Sequence, residues 1–384
     1  MSTPTLHVAV VGCGVIGRHH ARVITAHEGL TVTAAVDAVL PAATALADEA
    51  QAAGVARPAV AATLEAALDE AEVDLVVICS PSGLHVQLAE TALAAGRHVV
   101  IEKPLDVSVA RARQIAGLAR DAATRGLVVS VISQHRFDPA NALVARAAHD
   151  GTFGRVTSGV ASIGWWRSQD YYDSGEWRGT WALDGGGAVM NQGVHTVDLL
   201  VWMLGRPVEI TAQTGLVAHE RVEVEDVAVA TIRFESGALA VVHATTAAYP
   251  GDLTRIQVHG DRGTGVVTDD RLEYFHAAPR DVEMGIQGSL DKANQAAGLL
   301  PDDQMVGGPA EADHFLRGHS RQYDDIVAAI REGRAPGVTV DDALLSLATV
   351  KSIYVAATLG RPVRVDDVLT GVLDDQAVTV GAHA

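Results

Sequence analysis

The sequence predicts an α/β protein in two parts. A doubly wound parallel sheet comes first, followed by an α+β domain on a large, mostly antiparallel open sheet. Three observations predict this. The chain has 384 residues, too many for one ordinary core. Up to Ile132, apolar runs alternate strictly with segments of helical spacing, the pattern of parallel strands joined by crossover helices. After Gln134-His135-Arg136-Phe137 the alternation gives way to successive strand-like runs with short turns. The expected division is 1–133, 134–370 and a flexible tail at 371–384.

Composition narrows the function classes. Hydrophobic content of 48% with 20% charged residues is that of a soluble globular protein. A net charge of -18 disfavours nucleic acid and anionic membranes as partners, since both need a basic surface. Cys13 and Cys79 each end an apolar strand and read as buried thiols in a reducing compartment. No charged n-region precedes a long apolar run, and no stretch of 18 apolar residues occurs, so a cytoplasmic protein without a membrane span is expected.

Taken in order, Leu6–Val11 is a strand running into Gly12-Cys13-Gly14-Val15-Ile16-Gly17, and residues 18–27 read as a helix. In this G-x-G-x-x-G turn Gly12 permits the tight bend, Gly14 lets the backbone approach a pyrophosphate, and Gly17 lets helix and strand pack closely. The helix start, with Val15 and Ile16, offers free N–H groups to the phosphates. A second strand at 31–36 ends in Asp37, 20 residues after Gly17, where a carboxylate accepts hydrogen bonds from ribose hydroxyls. Ala38 and Val39 follow, with no arginine for a 2'-phosphate, so NAD is favoured over NADP. This is the Rossmann pattern. The remaining strands are expected near Val60 and at 74–79, 98–101 and 127–132, with helices at 42–53, from Leu64, and at 84–95 and 107–124.

Two further turns leave carboxyl ends of these strands, where such sheets bind ligands. Ser80, Pro81 and His85 lie on one and Glu102-Lys103-Pro104 on the other, and all are candidate cofactor contacts. The Lys103 ammonium is suited to hydrogen-bond a substrate hydroxyl and the nicotinamide edge, and desolvation would let it share in proton transfer. In the second half, Gly185-Gly186-Gly187 precedes a predicted helix at 188–204 with an apolar stripe of Met190, Val194, Val197, Val201 and Leu204. Asn191 and His195 fall one turn apart on it, and Asp198 three residues further. These two regions are expected to meet over a bound nicotinamide.

The G-x-G-x-x-G turn, the Ser80–His85 turn, Glu102-Lys103-Pro104 and the glycine run followed by Asn191-x-x-x-His195-x-x-Asp198 together resemble the Gfo/Idh/MocA family of oxidoreductases, from Leu6 to about Val365. The resemblance implies a dinucleotide-binding domain, a second domain on an open sheet, and chemistry at nicotinamide C4, usually on a sugar, cyclitol or related polyol. It also implies that Lys103 and His195 are the family's lysine and proton-transferring histidine. Asn191 stands where many members carry Asp, which leaves Asp198 as the orienting partner for His195.

Strands are expected at 156–166, 208–217, 227–234, 238–247, 254–259 and 265–268, as a meander with Glu235-Ser236-Gly237 as a hairpin turn. An open sheet of this kind supports self-association, as a homodimer or homotetramer. Between Trp165 and Trp181 stand four Trp, two Tyr and two Arg in 17 residues. Sugar C–H faces stack on such rings, so Arg167, Tyr171 and Arg178 join Lys103, Asn191 and His195 as substrate contacts. Residues 285–318 lack periodicity and read as a mobile loop or an arm to a neighbouring subunit. Helices at 320–332 and 341–359, a strand at 361–365 and a disordered end after Asp374 complete the chain.

The expected activity is NAD-dependent oxidation of a secondary hydroxyl of a sugar, glycoside or cyclitol, with Lys103, His195 and Asn191 catalytic. The rivals are a nucleotide-sugar 3-dehydrogenase, whose diphosphate Arg167 and Arg178 would meet, and a silent NAD-binding regulatory relative. No metal site is expected: His19-His20 lies in the first helix, and Asp269-Asp270 and Asp341-Asp342 read as solvated turns and caps.

Overall fold

The computed structural model describes residues 4–279, 293–309 and 313–380. The chain divides into two compact units, Met1–Gln134 with Asp313–Leu344 and His135–Ala312 with Leu345–Ala384.

The first unit is built on β1 (Leu6–Val11), β2 (Leu30–Val36), β3 (Ala59–Ala61), β4 (Leu75–Ile78), β5 (His98–Ile101) and β6 (Val129–Val131). Their order is β3-β2-β1-β4-β5-β6 and every pairing is parallel. The order reverses between β1 and β4, so the ligand crevice opens at the carboxyl ends of these two strands. β4 reads Leu-Val-Val-Ile with all four residues buried, because helices cover both faces of a parallel sheet. Ile24 and Leu46 come down from the helices Val15–Ala26 and Leu40–Ala52, and Tyr323, Ile326 and Val327 from the helix His314–Glu332, to close one core. That last helix starts six residues before the expected 320.

The second unit carries β7 (Val156–Gly164), β8 (Pro207–Gly215), β9 (Val227–Phe234), β10 (Leu239–Thr245), β11 (Thr254–Gly260), β12 (Gly263–Thr268), β13 (Arg271–Ala277) and β14 (Val363–Arg364). Its order is β13-β12-β11-β7-β10-β9-β8-β14. The expected meander is therefore corrected. β8–β9–β10 and β11–β12–β13 are each antiparallel meanders, but β7 inserts between them, parallel to β10 and antiparallel to β11. β13 was not foreseen, because Arg271-Leu272-Glu273-Tyr274 mixes charge into its alternation. The helices Pro139–His149 and Val194–Leu204 cover one face of this sheet. On β9 Ala228, Ala230, Ile232 and Phe234 point inward, while Val229 on β9 and Leu239 and Val241 on β10 are exposed on the other face.

Among the described residues one helix, Val340–Leu359, is by length and composition apolar enough to cross a membrane, and 61% of that window is buried inside the protein. Part of the expected mobile loop, residues 285–292 and 310–312, lies outside the described residues. Within the expected flexible tail, the Thr379 N–H donates to the Thr358 hydroxyl (3.0 Å), and that hydroxyl donates back to the Thr379 carbonyl (3.2 Å).

Candidate active site

In the first unit the glycine turn has the steric form its spacing implies. A Cβ on Gly12, at φ +93°, would collide with the Cys79 carbonyl and the Ser80 nitrogen, one on Gly17 with the Gly12 carbonyl, and one on Gly14 would meet nothing. Of these three glycines Gly14 alone faces open space. No side chain caps the helix starting at Val15, so its first N–H groups remain available to an anion. Asp37 is fixed by the Cys13 N–H to Oδ2 and the Val39 N–H to Oδ1, both 2.8 Å, which sets its carboxylate at the end of β2. These residues fit NAD, with the pyrophosphate at the glycine turn and the ribose at Asp37. Cys13 is buried, and burial, first, with Asp37 pushes its thiol up to about 12.

Two residues expected at the cofactor support the turns. Both ring nitrogens of His85, a residue 1% exposed, face carbonyls, Leu105 at 2.9 Å and Ser80 at 3.1 Å, so His85 ties the two turns together. Glu102 is buried with one oxygen on His20 Nε2 (2.8 Å) and the other accepting the Lys103 main-chain N–H (2.7 Å). Burial works against its charge, but hydrogen bonds from His20 and His319 hold the carboxyl well below the usual range. Glu102 thus holds the Lys103 backbone, and no hydrogen bond or ion pair among the described residues takes the Lys103 ammonium. His20 is in turn fixed by Tyr323 (2.8 Å) and His319 by His19 (3.2 Å), so His19-His20 belongs to a buried network.

In the second unit the anchor is not one helix. A π turn spans Ala188–Gln192, closed by the Gly193 N–H on the Ala188 carbonyl (2.9 Å), and the α-helix runs only from Val194 to Leu204. Asn191 and His195 therefore do not stack one turn apart on a single α-helical face. Hydrophobic spacing cannot distinguish the i→i+5 turn from the α turn it interrupts.

The start of this turn is capped from a distance. The carboxylate of Glu225 accepts the N–H groups of Gly187 and Val189, both at 2.9 Å. The Glu225 carbonyl accepts Ala188 N–H (3.1 Å), and the Tyr354 hydroxyl accepts Met190 N–H (3.0 Å) while donating to Glu225 Oε1 (2.9 Å). All four leading donors are thereby satisfied. A Cβ on Gly186 or Gly187 would strike Tyr354 or Glu225, which is why glycines precede the turn. Burial pushes the Glu225 carboxyl up to about 7 against these bonds.

Asn191 donates to Asp184 Oδ1 (2.7 Å), so a carboxylate does stand by this position, supplied from elsewhere in the chain. The ring of His195 meets that of His135 edge to face at 4.8 Å. His135 Nδ1 lies 2.8 Å from Asp270 and 3.4 Å from Asp138; burial opposes its charge, but these carboxylates outweigh it and push the imidazole up to about 10. Asp270 also accepts from Asn141 (2.8 Å), which corrects its reading as a solvated turn residue. Asp198, expected to orient His195, receives Arg136 through both oxygens at 2.8 and 2.6 Å, and Ser346 at 2.7 Å. These bonds fix the helix in place.

The aromatic stretch forms a stack. Arg167 lies over Trp165 (4.9 Å) and Tyr171 (5.2 Å), and Arg178 over Tyr171 (4.2 Å) and Trp177 (4.4 Å). Arg167 donates to Gln192 (2.9 Å), which donates to the Tyr171 hydroxyl (3.2 Å), joining the stack to the π turn. Sequence reasoning missed Glu225, Tyr354, His135, Asp184 and Gln192. Only Glu225-Asp226 left a signal, an acidic pair directly before an apolar strand.

Two family models match the chain: the oxidoreductase family with NAD-binding Rossmann fold over residues 6–132, and the GFO/IDH/MocA C-terminal domain over residues 142–266. The chain belongs to the Gfo/Idh/MocA family. Its relatives in that family include inositol 2-dehydrogenase of Rhizobium meliloti, 25% identical over 354 residues covering 90% of this chain and 94% of the relative. Inositol 2-dehydrogenase 2 of Saccharopolyspora erythraea is 30% identical over 271 residues, 68% of this chain and 72% of the relative. Among solved structures, the WlbA dehydrogenase from Bordetella pertussis in complex with NADH and UDP-GlcNAcA superposes with a TM-score of 0.76 at 29% identity, covering 95% and 99% of the two chains.

Proposed function

We propose that this Gfo/Idh/MocA chain is an NAD-dependent dehydrogenase of a secondary hydroxyl on a sugar, glycoside or cyclitol. The observation that carries the reading is His195 in the first turn of a helix whose π-turn start is held by a buried carboxylate and phenol, the preorganisation a proton-transferring group needs. Bound NAD supplies the hydride acceptor. His195 takes the hydroxyl proton as the carbon loses hydride, Asn191, held by Asp184, orients the hydroxyl, and the Lys103 ammonium steadies the charge growing on oxygen. In the reverse direction His195 is the acid. The similarity to inositol 2-dehydrogenases supports the cyclitol and sugar class.

The similarity to WlbA, whose complex holds UDP-GlcNAcA, supports a nucleotide-sugar 3-dehydrogenase as the second reading. Free thiols at Cys13 and Cys79 support a cytoplasmic setting, and the exposed Val229, Leu239 and Val241 on the open sheet face support a homo-oligomer. NADH formation across inositols, glucosides, free sugars and UDP-sugars selects the substrate. Lys103→Ala and His195→Ala are each expected to lower kcat by roughly a hundredfold or more while NAD binding persists; near-wild-type turnover in either overturns that residue's role.

A further inference from the structure

Several arginines of the second unit meet carboxylates: Arg136 with Asp198 at 2.6 Å, Arg221 with Asp173 at 2.7 Å, Arg255 with Glu273 at 2.6 Å. Among the described residues no carboxylate pairs with Arg167 or Arg178. The hydrogen bonds of Arg167 go to the neutral acceptors Trp166 O (3.0 Å) and Gln192 Oε1 (2.9 Å). Among the described residues Arg178 has aromatic rings and no carboxylate beside it, and its Nε is buried without an acceptor. Because both guanidinium groups lie over Tyr171, the two charges sit within about a Debye length of each other. In a chain of net charge -18 such a pair is not forced by a shortage of carboxylates. Asp173 and Asp184 of the same stretch are committed to Arg221 and to Asn191.

The pair is also built to stay in place. Arg167 N–H donates to the Thr246 carbonyl (2.8 Å), and the Arg167 carbonyl lies 2.8 Å from His219 Nε2, whose other ring nitrogen lies 2.9 Å from Asp226. Ser168 caps the short helix bearing Tyr171. A site for neutral hydroxyls needs acceptors as well as donors, because every hydroxyl is both. Two guanidinium groups between aromatic faces offer donors only, and oxygens that only accept match them best.

We propose that Arg167 and Arg178 bind an anionic group, carboxylate or phosphate, of the substrate whose hydroxyl His195 deprotonates. This rests on the dehydrogenase reading for the second half of that statement alone. Gln192, bonded to Arg167 and three residues before His195, links the anion end of the site to the proton-transfer end.

The test is binding to the protein saturated with NAD, followed by tryptophan fluorescence, with four probes: glucose, glucuronate, glucose 6-phosphate and UDP-glucose. At least one anionic probe is expected to bind roughly tenfold or more tighter than glucose. Glucuronate against the two phosphates tells carboxylate from phosphate. Arg167→Gln and Arg178→Gln are expected to collapse that ratio toward one, and Arg178→Lys to restore part of it, with melting temperatures showing that each variant is folded. Glucose binding as tightly as every anionic probe, or a ratio unchanged in both glutamine variants, overturns the proposal. His195→Ala, measured for turnover, reports separately on the dehydrogenase reading, since it leaves the arginines intact.

Discussion

At the scale of single residues, Glu225 shows how a group distant in sequence holds the start of the π turn. Its side chain and carbonyl take the N–H groups of Gly187, Ala188 and Val189, and Tyr354 takes that of Met190. Glu225→Gln puts an amide donor against one of those N–H donors, which costs about 1–3 kcal/mol. Its melting temperature is expected to fall, and kcat to fall further than NAD affinity; Tyr354→Phe is milder because Glu225 remains. The carboxyl, ordinarily 4.5, titrates at about 7 in the folded chain. The folded state therefore binds more protons between these values, and the stability Glu225 contributes is complete below pH 4.5 and lost as pH rises through about 7. Melting curves from pH 5 to 8 should show this slope in the wild type and not in Glu225→Gln. None of this was legible from spacing, because Glu225 and Tyr354 lie 36 and 164 positions from the groups they hold. Lys103, Asn191 and His195 stood out because each lies inside a local motif.

At the scale of elements, the helices Val15–Ala26 and His314–Glu332 meet through His19, His20, His319 and Tyr323. Burial, aided by His319 and His20, lowers the His19 imidazole from 6.5 to about 4. The unfolded chain binds more protons in that window, so this contribution is complete above pH 6.5 and is lost as pH falls toward about 4, the opposite slope to Glu225. His19→Gln is expected to flatten the acid side of the stability profile by roughly 1–3 kcal/mol; an unchanged acid slope counts against the account. The strands of the first unit were readable because parallel strands buried on both faces are continuous apolar runs. The π turn at Ala188–Gln192 and the insertion of β7 between β10 and β11 were not, since periodicity records which face is buried and not which strand is the neighbour.

At the scale of the whole molecule, the Gfo/Idh/MocA chain combines a nucleotide half of conventional strand order with a second half that carries His195, the proposed proton-transferring residue, and an aromatic–arginine stack. The open face bearing Val229, Leu239 and Val241 leads to the expectation that light scattering reports a mass of two or four chains, and that Val241→Lys lowers it. A wild-type mass of one chain contradicts this. The central claim is that His195 takes the hydroxyl proton as hydride leaves. Single-turnover oxidation of bound substrate at saturating NAD, followed across pH in wild type and His195→Gln, tests it most directly. The rate in the variant is expected to be at least a hundredfold below that of the wild type at every pH. A variant with the wild-type rate would contradict the account.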